Sequence, residues 1–241
     1  MQSHSVVLSV DLASRRCADI GIALLKGTVS AADVLLVRPD ELGLTGVPAV
    51  GSLVEALTFL AQEAGASMIL LDGPQGWRAE VSQHPDMREC ERLTRTPGKT
   101  GLPTVMKPRS WTRMAEFSIA VFDALQAAGW ARFPGACDGD RYAVETFPTH
   151  AWRALGLTSL PGRNRRGIVV DRWVSALDRV SSLSWSRFPS HDDLQAAVAG
   201  LAGLAMTTRY DAIGFDAQGR PPLQEAGIWR EGVIVSPTRR P

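Results

Sequence analysis

The sequence is poor in cysteine: Cys17, Cys90 and Cys137 are far apart and odd in number. They form neither a disulfide framework nor a zinc-ligand spacing, which favours a reducing compartment. Long apolar runs are also lacking, because the most apolar stretch, residues 196–206, is too short to span a bilayer. No basic segment followed by a long apolar one opens the sequence, so no signal peptide is predicted. We therefore expect a cytoplasmic protein that does not contact the membrane.

A dominant charge of one sign is lacking as well. The 26 basic and 25 acidic residues leave a net charge of +1, so no overall field attracts the chain to nucleic acid. Any such binding would need a local basic patch. Hydrophobic residues make up 45% of the sequence and charged residues 21%, which excludes a disordered or fibrous chain. For 241 residues we expect a single domain over 1–241, with a helical and loop insertion at about 76–141.

The first third of the sequence has a distinctive order of elements. Three apolar strands with short connections are predicted at 6–11, 18–26 and 32–37, followed by a helix at 51–64 and a strand at 68–72. Many α/β folds begin instead with parallel β-α-β units. The order resembles the opening of RNase H-like folds. We therefore expect an α/β fold with an RNase H-like mixed sheet, three antiparallel strands and then parallel ones, flanked by helices.

The remaining two thirds are predicted to be mainly helical. A Gly- and Pro-rich loop at 97–108 is long for a compact domain, which is typical of functional loops. A helix that begins after its cap Ser190 would close the helical part, and the chain would finish in a strand or hairpin arm. The elements predicted after residue 76 are helices at 86–95, 111–128, 148–155, 169–180 and 192–207, and strands at 142–146 and 226–235.

Acidic residues follow several of these elements. Asp11 ends the first strand, Asp72 ends the fourth, and Glu145 lies near the end of the strand at 142–146, while Asp192 and Asp193 begin the last long helix. Functional groups of an open sheet gather at the carboxyl ends of its parallel strands, so we expect these acids to converge. Taken singly, each has a plainer role, in starting a turn or complementing a helix dipole.

Converging carboxylates predict a particular chemistry. They repel one another unless a proton or cation neutralises them, and an all-oxygen site suits Mg²⁺ or Mn²⁺. We predict that Asp11, Asp72, Glu145, Asp192 and Asp193 form the catalytic group at such a cation site. Two ions about 4 Å apart can activate water for phosphodiester hydrolysis without a nucleophilic side chain.

Several short motifs occur in a recognisable order. They are Asp-Leu-Ala on the first strand, Leu-Asp-Gly-Pro on the fourth, Val-Glu-Thr-Phe-Pro around Glu145, and His-Asp-Asp-Leu at the last helix. Over roughly residues 6–207 the chain resembles domain-of-unknown-function family 429, a group of predicted RNase H-like nucleases. The resemblance implies that Asp11, Asp72 and an acid of the last helix bind metal. Glu145 would match the Glu that this family has before an aromatic residue and Pro.

The chain departs from the family pattern in its last helix. The family usually has Asp followed by Ala there, whereas this chain has Gln195 followed by Ala196, with Asp192 three residues earlier. This difference leaves open that catalysis has been lost.

Two groups of basic residues are candidates for phosphate contacts. One lies around the Gly- and Pro-rich loop, with Trp111 among its members, and the other lies in a short Arg-rich loop. A solvated surface loop explains the first group equally well. The predicted substrate-binding residues are Arg88, Lys107, Arg109, Arg163, Arg165 and Arg166.

Three functions therefore remain open at the sequence level. The first is a metal-dependent nuclease acting on DNA or RNA. The second is a catalytically degenerate RNase H-like module that binds nucleic acid or protein. The third is an actin-like or sugar-kinase-like phosphotransferase, which is disfavoured because no glycine follows Asp11 until Gly21.

Overall fold

A nine-stranded sheet organises the computed structural model, which describes residues 5–103, 108–135, 141–162, 169–207 and 212–240. Its strands lie in the order β7-β3-β2-β1-β4-β6-β9-β8, and the short β5 pairs with β6. In chain order they are β1 Ser5–Asp11, β2 Gly21–Gly27, β3 Ala31–Val37, β4 Met68–Asp72, β5 Ala131–Arg132, β6 Tyr142–Thr146, β7 Ser182–Trp185, β8 Ile213–Glu225 and β9 Ile228–Arg239.

The strand directions confirm the expected fold class. β1, β2 and β3 are antiparallel neighbours, whereas β1, β4 and β6 run parallel to one another. Short connections can only reverse the chain, while the helix between β3 and β4 is long enough for a crossover to a parallel strand. The central order β3-β2-β1-β4-β6 is therefore the mixed RNase H-like sheet that the sequence predicts.

Helices cover both faces of this sheet. Val7 of β1 packs in one core beneath the helix His191–Thr207, and its neighbour Leu8 packs in a second core beneath the helices Val50–Ala64 and Thr112–Ala127. Burial on both faces explains why β1 and β4 read as continuous apolar runs rather than alternating ones. The helices are α1 Val50–Ala64, α2 Glu89–Leu93, α3 Thr112–Ala127, α4 Pro148–Ala154, α5 Asp171–Asp178 and α6 His191–Thr207.

Helix α6 is the most deeply buried helix in the described part of the chain. Its small residues let it lie close to the sheet: a Cβ added to Gly203 would come 2.7 Å from Leu70, and one added to Gly200 would contact Leu25. The apolar stretch noted in the sequence is thus a core helix. Among the described residues, no helix is long and apolar enough to cross a membrane.

Some boundaries and strands differ from the sequence predictions. The second strand begins at Gly21 rather than Ala18 because Cys17–Asp19 forms a 3₁₀ turn. Helix α1 has Ala49 at its N-cap, so Ser52 lies inside the helix instead of capping it. Strands β5, β7 and β8 were not predicted, since each is short, edge-located or rich in polar residues.

The first turn of α6 constrains the residue that it covers on β2. A Cβ at Gly21 would overlap the main-chain carbonyl of Asp192, which cannot move without displacing the helix. We predict that Gly21→Ala lowers the free energy of unfolding by about 1–3 kcal/mol, as overpacked cores do. Urea unfolding followed by circular dichroism measures this change.

Gly51→Ala is the matched control, because nothing lies within 4 Å of the added methyl group and alanine favours the helix. Equal stability changes in the two variants would contradict the close packing of α6 on β2.

Candidate functional site

Two aspartates meet where the central parallel strands end. Val10 and Leu71 are paired in the ladder between β1 and β4, so Asp11 and Asp72 are the next residues on adjacent strands. Their side chains form a hydrogen bond with each other. Because an ionised carboxylate has no hydrogen to donate, this bond requires one proton on the pair. A proton on this pair would neutralise it in the way that the sequence predicted for a cation.

The surroundings of Asp72 explain why that proton is retained. Burial raises the pKa of Asp72 from 3.8 to about 7, the hydrogen bond from Asp11 opposes the rise, and the negative charge of Glu145 adds to it.

Glu145 contributes its charge to this edge but is engaged elsewhere. It is 2% exposed, and the guanidinium of the buried Arg88 donates to both of its oxygens, Nη2 to Oε1 at 2.6 Å and Nη1 to Oε2 at 2.9 Å. The backbone N–H of Gln75 donates to Oε2 as well, at 3.0 Å. Burial raises the pKa of Glu145, while the Arg88 charge and these hydrogen bonds oppose the rise. Glu145 therefore fixes the turn that follows Asp72.

Glu91 extends this ion pair into a buried triad. Arg88 Nε donates to Glu91 Oε1 at 3.0 Å, and the backbone N–H of Thr100 donates to both Glu91 oxygens at 3.1 and 3.0 Å. Removing one member of such a buried pair leaves an uncompensated charge, at a cost of about 3–5 kcal/mol. The triad thus fastens the loop after α2 to the end of β6.

A small pocket opens beside Asp72, and we call it the aromatic pocket. Its volume is about 200 Å³, and its lining includes Asp72 and the three members of the buried triad. The ring of Trp111 packs directly on Gly98, where a Cβ would overlap it. The residues that line the pocket are Asp72, Gly73, Pro74, Arg88, Glu91, Thr96, Pro97, Gly98, Thr100, Trp111, Met114, Ala115, Glu145, Thr146, Phe147, Thr149 and Ile234.

The two acids of α6 have other partners. Asp193 and Ser190 cap the helix reciprocally, since the backbone N–H of each bonds the side chain of the other, and Arg187 Nη1 donates to Asp193 Oδ2 at 2.7 Å. The predicted cap at Ser190 is confirmed. Asp192 Oδ1 lies 2.9 Å from Nδ1 of His191, whose Nε2 lies 2.9 Å from the Pro161 carbonyl. The imidazole of His191 thus joins the first turn of α6 to the Pro161 carbonyl.

Gln195, at the position where the resembling family has its acid, also serves packing. Its Oε1 accepts a hydrogen bond from Nε1 of the buried Trp152 in α4, at 2.9 Å. The side chain at this position thus joins α6 to α4.

A larger cavity of about 690 Å³ lies over the ends of β1 and β3, and we call it the arginine cavity. Four arginines and three aspartates line it together with smaller residues. In the sheet order it lies on the β3 side of the Asp11–Asp72 pair, and the aromatic pocket lies on the β6 side. The charged lining residues are Arg15, Arg16, Arg38, Asp40, Arg187, Asp192 and Asp193.

This arrangement corrects the predicted metal site. Among the described residues, no group of three or more His, Cys, Asp or Glu side chains could hold a metal ion. Asp192 lines the arginine cavity and contacts His191, and in the described part of the chain it does not join Asp11 and Asp72 in such a group. What remains is a pair of carboxyl groups. Mg²⁺ is often held by one or two carboxylates, with waters and substrate phosphates as its other ligands, and the pair fits that mode.

The predicted phosphate contacts have different outcomes. Arg88 is 1% exposed and committed to Glu145 and Glu91, which corrects its prediction as a substrate contact. Arg109 is exposed in the turn before α3, and its role stays a prediction. Four further predicted contacts lie outside the described residues: Lys107, Arg163, Arg165 and Arg166.

Sequence reasoning missed the arginine cavity. Arg15, Arg38 and Arg187 come from three distant segments, each with acids nearby, so no local excess of charge marks them. It also missed the structural role of Glu91, although Glu91 three residues after Arg88 was a usable signal for a local ion pair.

Comparisons with known proteins find few relatives. No family model matches the chain, and no curated protein matches it. Two solved structures align over most of its length: Thermus thermophilus RuvC, at 12% identity with a TM-score of 0.40 over 84% of this chain and 95% of that one, and T. thermophilus RuvC in complex with Holliday junction substrate, at 14% and 0.41 over 85% and 96%. Likenesses this weak carry no argument about activity, and membership in family 429 stays a prediction.

The raised pKa of Asp72 has a consequence for stability. The folded chain keeps the proton up to about pH 7, whereas the unfolded chain loses it near 3.8, so the folded state is progressively destabilised as pH rises between these values. We predict that Asp72→Asn, which cannot ionise, gains stability over the wild type across this window, by up to about 4 kcal/mol at neutral pH. Urea unfolding at several pH values measures the gain.

The same substitution at the exposed Asp33 is the control and should show no such trend. If the advantage of Asp72→Asn did not depend on pH, the shared proton would be contradicted.

Proposed function

We propose that this chain hydrolyses phosphodiester bonds in nucleic acid at a divalent-cation site formed by Asp11 and Asp72. The observation that carries the proposal is the hydrogen-bonded carboxyl pair at the ends of β1 and β4. Two partly buried carboxyl groups held side by side repel each other when ionised, and a divalent cation relieves that repulsion. The proposal agrees with what the resemblance to family 429 implies.

The site suits one cation better than two. Asp11 and Asp72 offer carboxylate oxygens on one side only, which leaves other coordination positions for water and a substrate phosphate. A bound Mg²⁺ or Mn²⁺ would supply a water of lowered pKa and would polarise a phosphoryl oxygen. The earlier expectation of two ions needs a third carboxylate, and α6 directs none to this pair.

The protein side chains have separate tasks in this proposal. Asp11 and Asp72 give up their shared proton when the cation binds, so affinity rises with pH. Glu145 is a positioning residue, because its bond to the backbone N–H of Gln75 fixes the turn that holds Asp72. Its own charge is balanced by Arg88, so it does not compete for the cation.

Nucleic acid is the proposed substrate because the charges needed for phosphate contact are local. The arginine cavity brings Arg15, Arg38 and Arg187 together at the segments that follow β1 and β3 and precede α6, in a chain with almost no net charge. Guanidinium groups bind phosphate oxygens with paired hydrogen bonds. Proteins that coat nucleic acid typically carry a large excess of positive charge. The net charge of +1 in this sequence favours contact with only a short stretch of nucleic acid.

A second function, a binding module without catalysis, is favoured by one specific observation. Asp193 caps α6, Asp192 pairs with His191, and Gln195 bonds Trp152. Helix α6 therefore provides side chains for packing where a nuclease would have a third ligand. In this alternative the carboxyl pair keeps its proton, and the edge of the sheet binds nucleic acid or protein without cleaving it.

Loss of either aspartate distinguishes these two functions. We predict that Asp11→Asn and Asp72→Asn each lower Mn²⁺-dependent cleavage of labelled DNA and RNA by roughly 100-fold or more, because each removes half of the cation site. The variants should also lose the rise in melting temperature that Mn²⁺ gives the wild type. Gel assays and thermal shift measure the two effects.

Asp33→Asn is again the matched control and should retain both properties. Its carboxylate is exposed near the start of β3, at the edge of the sheet opposite to the one where β1 and β4 end. Wild-type protein that binds nucleic acid but shows neither cleavage nor stabilisation by Mn²⁺ would support the binding module. Full cleavage by both site variants would refute the proposed site.

The α6 positions give a further prediction. Because Asp192 contacts His191 and forms no metal-holding group with the pair among the described residues, Asp192→Ala should leave Mn²⁺-dependent stabilisation and cleavage within about threefold of the wild type. Gln195→Asp should lose the hydrogen bond to Trp152, worth about 1 kcal/mol, without gaining activity. Both variants are compared on one labelled substrate. A large gain with Gln195→Asp would instead identify a decayed three-carboxylate site, and abolition by Asp192→Ala would identify Asp192 as a ligand.

A further inference from the structure

The aromatic pocket beside Asp72 has walls suited to a flat apolar group. Trp111 is 40% exposed, and Gly98 supports its six-membered ring from the protein side. Met114 and Phe147 line the pocket with it. An exposed Trp held in place by main chain is available for stacking at little further cost in conformational entropy.

The inner end of the pocket is polar. Thr146 is 2% exposed, and its hydroxyl has no hydrogen-bond partner within the described part of the chain. A buried hydroxyl without a partner costs free energy, so one that lines a pocket next to a reactive edge points to a ligand that completes it.

Charge limits what can enter. Three carboxyl groups, those of Asp72, Glu91 and Glu145, line the pocket against the single guanidinium of Arg88. A phosphate would be repelled there, whereas a neutral ring with hydrogen-bonding edges would not.

Size limits the ligand further. A volume of about 200 Å³ corresponds to about seven waters at roughly 30 Å³ each, and lies below the roughly 300–1,000 Å³ typical of sites for drug-sized ligands. One ring system fits and a base pair does not.

We propose that the aromatic pocket receives a single unpaired nucleobase, stacked on Trp111 and hydrogen-bonded by Thr146. This inference rests on the proposed function, since the protein would recognise the base of the nucleotide next to the reacting phosphate. Asp72 lines the same pocket, so a nucleotide whose base enters it has its phosphate close to the Asp11–Asp72 pair. The substrate class is therefore nucleic acid with an unpaired or extrudable nucleotide, rather than regular duplex.

Two DNA duplexes of equal length test the inference, one fully paired and one with a single unpaired adenine, each carrying a fluorescent label at one end. Their affinities are measured by fluorescence anisotropy in EDTA, so that no cleavage occurs. The wild type should prefer the duplex with the unpaired base. Trp111→Ala should weaken binding of that duplex by roughly 5- to 150-fold, the range for loss of one base–aromatic stack, and should change binding of the paired duplex less than twofold.

Three further variants control for indirect effects. Trp111→Phe keeps a stacking surface and should recover most of the affinity. Thr146→Val keeps the shape of the side chain, removes the hydroxyl, and should reduce the preference for the unpaired base. Phe59→Ala removes an aromatic residue that is 61% exposed on α1, away from the pocket, and should change neither affinity. Melting curves verify that each variant is folded.

The inference and the proposed function can fail separately. Equal affinity of the wild type for the two duplexes, or equal losses on both with Trp111→Ala, would overturn the nucleobase pocket, even if cleavage still depended on Asp11 and Asp72. Conversely, a Trp111-dependent preference for the unpaired base, found with a wild type that does not cleave, would support the pocket and remove the nuclease.

Discussion

The guanidinium of Arg88, buried between Glu145 and Glu91, is the interaction on which the shape of the candidate site depends. A buried cation is tolerated only where carboxylates surround it, and here the two carboxylates come from β6 and α2. Glu145 holds the turn after β4 through Gln75, and Glu91 holds the loop at Thr100. One ion network thus fixes the turn beside Asp72 and one wall of the aromatic pocket.

The apolar strand pattern made the centre of the fold predictable. Strands buried on both faces read as continuous apolar runs, so β4 and β6 were predicted with their observed bounds, and an acid after such a run lies at the sheet edge by geometry. The meeting of Asp11 and Asp72 follows from that geometry. Strands β7 and β8 were not predicted because edge strands bury few side chains and their sequences therefore show little apolar pattern.

The partners of charged residues could not be read from local sequence. Arg88 lies in a stretch rich in basic residues and looks like a phosphate contact, yet its bonds to Glu145 span 57 positions. Asp192 and Asp193 look equivalent in sequence, but a helix turns about 100° per residue, so one joins the cap and Arg187 while the other faces His191. Only the tertiary contacts distinguish a ligand from a cap in such cases.

The two cavities at the sheet edge differ in the balance of basic and acidic side chains that line them. Four arginines and three aspartates line the cavity towards β3, three carboxyl groups and one arginine line the pocket towards β6, and the Asp11–Asp72 pair lies between the two. A polynucleotide strand is itself divided into an anionic backbone and neutral bases. Under the proposed function, its phosphates are therefore favoured on the arginine side and repelled from the aromatic pocket, which only a base can enter. The nearly neutral net charge of the chain then favours specificity for a local distortion of the nucleic acid over tight binding along its length, because the contacts that depend on charge are few.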